Sequence, residues 1–228
     1  MKRTRERRGV PQRSGVSIMV LGEDGASSGK GGGTEWAYYR ILLQRLGIED
    51  YISNVKPPNH NGTIDTIITL APTANHTWVL IDADFQSAAS SGSHTPEQFS
   101  KIEKWSNDVT KQGERHIIIS APRFEYWLLL HFVDVSVAGN RAGDDSEVKK
   151  IIPNFTKNMQ QCARLFNRDN ILHATMQARN GCQPSCSIYY QKDAERDMRG
   201  TLMWKFVDFF ISETLKRSAP QGQTGGTP

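Results

Sequence analysis

Apolar runs of strand length alternate with segments of helical periodicity in this chain as far as about residue 137. The clearest runs are VSIMVLG at residues 16–22, HTWVLIDAD at 76–84 and RHIIISAP at 115–122. Continuous apolar runs of this length are typical of strands buried on both faces of a sheet. Since the helices between them return the chain for another parallel strand, the alternation predicts an α/β fold with a mainly parallel sheet flanked by helices.

The segments between these runs have helical stripes and recognisable ends. Thr34 is the predicted N-cap of the helix that follows the first strand, and Gly47 is its predicted C-cap. A later helix is predicted to begin with Thr95 as the cap and Pro96 at the first helical position, with Val109 in its apolar stripe.

Weaker patterns complete the predicted order of elements. YISNVK at residues 51–56 predicts a second strand, and TIDTIITLA at 63–71 predicts a short helix. Further on, the sequence predicts in order an apolar helix, a polar loop, one or two helices and a last helix, at residues 123–134, 141–150, 155–180 and 199–216.

Positive charge is concentrated at the start of the chain. Residues 1–13 contain six basic residues and one acidic residue, whereas the formal net charge of the whole chain is +4. The remainder is therefore close to neutral. If the partner is nucleic acid, this arm supplies much of the attraction to phosphate; a solvated basic tail without a partner is the alternative.

Composition indicates a protein of the cytoplasm that does not enter a membrane. No apolar run approaches the ~20 residues of a spanning helix, and no apolar segment of a secretory signal follows the basic residues. The chain has three cysteines, an odd number that suits a reducing compartment. Cys182 and Cys186 with His173 upstream have a spacing that disfavours a zinc site.

Acidic residues stand where the predicted strands end. Glu23 follows the first strand, Asp82 and Asp84 end the third, and Ser120 ends the fourth, with Glu125 in the next helix. In open parallel sheets, ligands bind at this edge. Clustered carboxylates repel one another unless a hard cation neutralises them, which favours Mg²⁺ or Mn²⁺. The alternative is that the aspartates cap a helix or terminate a strand.

Three motifs resemble the RloB-like family. They are the glutamates of GE…GTEW, the strand end VLIDAD and the long segment ISAPRFEYWLLLHF, and the resemblance covers residues 16 to about 134. The family has a TOPRIM fold, and the resemblance implies a magnesium-dependent nuclease domain similar to those of OLD proteins. Such domains occur in bacterial anti-phage and restriction-linked systems.

The resemblance also implies the site residues. Glu23 and Glu35 match the two TOPRIM glutamates, Asp82 and Asp84 match the aspartate pair, and Glu125 matches the later acid. All five are predicted catalytic residues, and the first four are predicted metal ligands.

Two departures from the family pattern bear on this site. The family's short turn between the glutamates is extended here by residues 24–32, and its Asn before Pro is Ala121. The extension is a glycine-rich spacer or, alternatively, a phosphate-binding loop that uses Lys30. Lys30, Arg123 and Ser120 are the predicted substrate-binding residues because they neighbour the acids, while His131 is predicted to be packed and hydrogen-bonded.

The predicted function is an endonuclease on DNA or RNA, including transfer RNA, that acts as an effector in anti-phage defence by abortive infection. The alternative is a catalytically weak TOPRIM-like sensor of nucleic acid or nucleotide, or a regulatory subunit controlled by a partner. Expected partners are nucleic acid and a companion defence protein, and a homodimer is permitted.

The chain is predicted to have four parts. Residues 1–15 are a disordered basic arm, 16–137 a TOPRIM-like catalytic domain, 138–217 a helical part packed on that domain, and 218–228 a disordered tail.

Overall fold

The protein is represented by a computed structural model that describes residues 16–22, 33–49, 52–54, 74–83, 96–110, 112–141, 145–181 and 199–218. Within these residues, the sheet has five strands in the order β2-β1-β3-β4-β5. They are β1 (Val16–Gly22), β2 (Ile52–Asn54), β3 (His76–Asp82), β4 (Glu114–Ala121) and β5 (Gly200–Thr201). The first four pair in parallel, and β5 pairs antiparallel with β4.

Helices flank this sheet and form most of the described residues that follow β4. They are α1 (Thr34–Leu46), α2 (Pro96–Asn107), α3 (Phe124–Leu129), α4 (Val135–Arg141), α5 (Asp145–Ile151), α6 (Arg168–Asn180) and α7 (Met203–Ser218), and a 3₁₀ turn lies at Ala163–Leu165. The predicted mixed α/β fold with a mainly parallel sheet and a C-terminal helix is confirmed. No helix in the described part of the chain is both long and apolar enough to span a membrane.

The two faces of the sheet have separate cores because successive side chains of a strand point to opposite sides. On one face, Trp78 and Leu80 join a large apolar cluster that includes Tyr38 of α1 and Phe206 of α7. On the other face, Val79 and Ile81 pack in a smaller cluster with three residues of α2, namely Phe99, Ile102 and Trp105. The burial of both faces explains why β3 is apolar without alternation.

Two predicted helix details are wrong. The N-cap of α1 is Gly33, which makes no side-chain cap hydrogen bond, and Thr34 is the first helical residue. Val109 is not part of an apolar stripe, since α2 ends at Asn107 and Val109 is 95% exposed. The predicted C-cap Gly47 is confirmed by its left-handed backbone, with φ 67°.

The C-terminal half also differs from the prediction. The expected polar loop at 141–150 forms most of α5 and the end of α4, because Val148 is fully buried while an ion pair joins Glu147 to Lys150 on the solvent side. In 155–180 the regular structure is the 3₁₀ turn and α6. Strand β5 lies within the segment predicted to be entirely helical.

Several predictions concern segments outside the described residues. These are the basic arm, the helix at 63–71, the cap at Thr95 and nearly all of the C-terminal tail. The division of the chain into four parts stays a prediction.

Candidate active site at the carboxyl ends of the strands

Asp82 joins the end of β3 to the start of α3. Its Cα is paired with that of Ser120 on β4, and it points to the same face of the sheet as Trp78 and Leu80. There its Oδ1 accepts a hydrogen bond of 2.7 Å from the backbone N–H of Phe124, the first residue of α3. Asp82 therefore caps this helix from a neighbouring strand.

Glu125 lies next to that hydrogen bond and is 5% exposed. Burial raises the pKa of its carboxyl, and the positive charge of Arg123 opposes the rise. The Nε of Arg123 is 3.9 Å from Glu125 Oε2, and another guanidinium nitrogen is 3.3 Å from Asp145 Oδ1. Because of the raised pKa, Glu125 holds a proton at higher pH than an ordinary glutamate.

Glu35 stands in the first turn of α1 and is also 5% exposed. One turn later, Tyr38 packs edge-on against Phe124 with ring centroids 5.8 Å apart. The start of α3 therefore contacts α1 one turn after Glu35. The tertiary structure brings the segments of Glu35, Asp82 and Glu125 to one region, although they are far apart in sequence.

Three described carboxylates have the donor type of a magnesium or manganese site, but their oxygens do not form a group within 4.8 Å in this structure. Asp82, Glu35 and Glu125 offer only oxygen donors, which hard divalent cations prefer. Glu35 and Glu125 are nearly buried, and buried negative charge is costly unless a cation compensates it; for Glu125, Arg123 supplies positive charge. Glu23, Lys30 and Asp84 lie outside the described residues, so their predicted roles stay predictions.

Ser120 has a structural contact in this region. It is 2% exposed, and its hydroxyl is 2.8 Å from that of Thr201 on β5. The Thr201 hydroxyl also accepts a hydrogen bond of 3.2 Å from the backbone N–H of Met203. The hydroxyl pair therefore links β4 to β5 and to the start of α7; substrate binding by Ser120 stays a prediction.

His131 is a packed and hydrogen-bonded histidine, as predicted. Its Nε2 is 3.0 Å from the Tyr38 hydroxyl, and its Nδ1 is 3.0 Å from the Trp127 carbonyl oxygen. The carbonyl requires a proton on Nδ1, so Nε2 accepts from the tyrosine. Burial lowers the pKa of His131 to about 3, which keeps the ring neutral.

A compact group of possible metal ligands lies at the opposite end of the same strands. His76 begins β3, and Glu114 and His116 begin β4; their ligand atoms all lie within 4.8 Å of one another. The Glu114-x-His116 spacing places two of these residues on one face. The register that adds His76 is set by strand pairing between distant segments, so sequence analysis missed the group.

Comparison with known proteins supports the family resemblance. The family model described as "RloB-like protein" matches residues 29–209. No curated protein and no solved structure matches the chain. The TOPRIM relationship therefore stays a prediction. Because the family model matches well over half of the sequence, the chain belongs to the RloB-like family.

Proposed function

We propose that the protein is a magnesium- or manganese-dependent phosphodiesterase, an endonuclease acting on DNA or RNA. The observation that carries the proposal is the hydrogen bond from the Phe124 N–H to Asp82 Oδ1, 2.7 Å long. It joins the end of a central strand to the turn that bears Glu125, and the helix of Glu35 packs against the same turn. These contacts support the proposal because they bring the segments of three acids to the edge where parallel sheets bind ligands.

Each acid has a role in this proposal. Asp82 and Glu35, with Glu23 and Asp84, would hold the cation. When bound, the cation neutralises phosphate charge and lowers the pKa of a bound water. Glu23 is a ligand or a general base.

Glu125 is suited to a proton transfer, because its raised pKa lets it donate a proton to the leaving oxygen. Arg123 holds this carboxyl in place and adds positive charge near the phosphate, where Lys30 is a further proposed contact.

The proposed partners follow from the same chemistry. The arm at residues 1–13 would bind phosphates of the nucleic acid, because six of its residues are basic. Membership of the RloB-like family favours an effector role in anti-phage defence in the cytoplasm, together with a companion protein.

The proposal is tested by cleavage assays on transfer RNA, single-stranded DNA and duplex DNA with Mg²⁺ or Mn²⁺. Asp82→Asn should lower the rate tenfold or more, equivalent to about 1.4 kcal/mol. Glu125→Gln should lower it by about 10²–10⁴-fold if the carboxyl transfers a proton. The matched control is Glu103→Gln, which removes an exposed acid from α2 on the other face of the sheet. An Asp82→Asn variant as active as the control would contradict the proposed site.

A nucleic-acid sensor without turnover is the second candidate. It is favoured by the engagement of Arg123 with two acids, Glu125 and Asp145. Fluorescence anisotropy with the same substrates separates the two functions. Tight binding without cleavage in every metal would support the sensor.

A further inference from the structure

The side chains of His76, Glu114 and His116 form a compact group, here called the His/Glu cluster. Register pairs His76 directly with Glu114, and His116 lies two residues along β4 on the same face. His76 Nδ1 is 3.4 Å and His116 Nε2 is 3.6 Å from the same oxygen, Glu114 Oε2. One ion placed among these atoms would reach all three.

One nitrogen of each histidine ring lacks a hydrogen bond within the described part of the chain. His76 Nδ1 and His116 Nε2 are buried atoms, and neither has a hydrogen-bond partner among the residues that the structure describes. Their distances to the carboxylate oxygen exceed the 2.7–3.2 Å of an N–H···O bond. A buried polar atom without a partner is unfavourable. A metal ion between the two rings and the carboxylate would satisfy both nitrogens at once.

The spacing fits a tetrahedral ion. Ligand atoms ~2.0–2.2 Å from Zn²⁺ in tetrahedral geometry lie about 3.4 Å apart. The observed 3.4 and 3.6 Å agree with this value. Imidazole nitrogen combined with carboxylate oxygen is a donor set that suits zinc, whereas magnesium prefers oxygen alone.

The two rings are already held in position. His116 stacks on Trp78, with ring centroids 3.9 Å apart and planes 18° apart, and His76 contacts Phe209 at 4.6 Å. The third ligand is on the surface, since the Glu114 side chain is 69% exposed. Three protein ligands therefore leave a fourth position that opens to solvent.

This group is distinct from the acidic edge. Asp82 lies six residues beyond His76 on β3, which at ~3.3 Å per residue separates the two places by about 20 Å. The acidic edge has the oxygen donors that magnesium and manganese prefer, whereas the His/Glu cluster has the mixed donors that suit zinc.

We propose that His76, Glu114 and His116 bind a divalent transition-metal ion, with Zn²⁺ the best match, and that this ion clamps the start of β3 to the start of β4. The site is independent of the proposed phosphodiester chemistry.

The test uses the full chain without a histidine tag, stripped of metal with a chelator. Competition with a chromophoric chelator measures zinc affinity, and thermal unfolding with and without zinc measures stabilisation. The wild type should bind one equivalent and melt at higher temperature with zinc. Glu114→Gln should weaken zinc binding tenfold or more and should remove most of the rise in melting temperature that zinc causes. His76→Gln should have the same effect.

Three controls locate the site. Glu103→Gln, Asp82→Asn and the double variant Cys182→Ser/Cys186→Ser should all bind zinc as the wild type does. Cobalt bound to the wild type should give visible d–d bands without thiolate charge transfer. The proposal is overturned if the wild type binds neither zinc nor cobalt, if Glu114→Gln and His76→Gln bind as tightly as the wild type, or if the double cysteine variant loses binding.

Discussion

At the scale of single residues, Asp82 combines a structural contact with its proposed role at the metal, and substitution separates the two. Asn keeps an oxygen that accepts the Phe124 N–H, whereas Ala does not. Asp82→Ala should therefore be less stable than Asp82→Asn by about 1 kcal/mol, the usual worth of a helix cap. Urea unfolding without metal measures the difference. Equal stability of the two variants would mean that the cap contributes nothing.

His131 should make the protein sensitive to acid. Its pKa falls from 6.5 to about 3 on folding, because burial disfavours the charged ring and nearby His173 adds to the effect. A lowered histidine pKa means that the unfolded state binds the proton first. Its contribution is therefore fully present above about pH 6.5 and is lost as the pH falls below that value.

The expected size can be measured against a variant that does not titrate. From pH 6.5 to 5, the wild type should lose about 2 kcal/mol more free energy of unfolding than His131→Gln. Met176→Gln, which changes an exposed residue of α6 that does not titrate, serves as control and should lose as much stability over this pH range as the wild type. If the free energy of unfolding fell with pH equally in the wild type and in His131→Gln, His131 would be protonated in the folded state as readily as in the unfolded state.

At the scale of elements, the docking of β5 on β4 depends on a buried hydroxyl pair. Ser120 and Thr201 are 2% and 0% exposed, and their side-chain oxygens are 2.8 Å apart. Removing one partner leaves the other buried without its hydrogen bond, at a cost of about 1–3 kcal/mol.

A double-mutant cycle tests this coupling. Ser120→Ala and Thr201→Val should each destabilise the protein, and the double variant should lose clearly less than the sum of the two. Thr201→Val should be the more harmful change, because its hydroxyl also accepts from the Met203 N–H. Chemical denaturation of all four proteins supplies the values. Additive losses would contradict direct coupling of β4 to β5.

At the scale of the whole molecule, the uneven distribution of charge should govern binding to nucleic acid. Deleting residues 2–13 removes six basic residues from a chain whose formal net charge is only +4. Because each phosphate contact releases counterions, the deletion should weaken binding and flatten its dependence on salt. Anisotropy titrations at several salt concentrations measure the slope. An unchanged slope would assign the phosphate contacts to the folded part of the chain.

The sequence by itself determined the α/β class, the parallel strands and the family. Burial on both faces makes the middle of β3 and of β4 continuously apolar, at residues 78–81 and 117–119, and such a run is visible in the local sequence. The motif ISAPRFEYWLLLHF is contiguous in sequence, so the family resemblance can be recognised without the structure. Sequence also placed the predicted acids at the ends of strands, since parallel topology sends those ends to one edge.

Only the tertiary structure decided which side chains touch. The cap from Asp82 to α3, the Ser120–Thr201 pair and the His/Glu cluster each join segments that are far apart along the chain. Strand β5 has two residues and no pattern of its own, and it forms because β4 offers a partner. Register and packing are properties of pairs of segments, so no single segment encodes them.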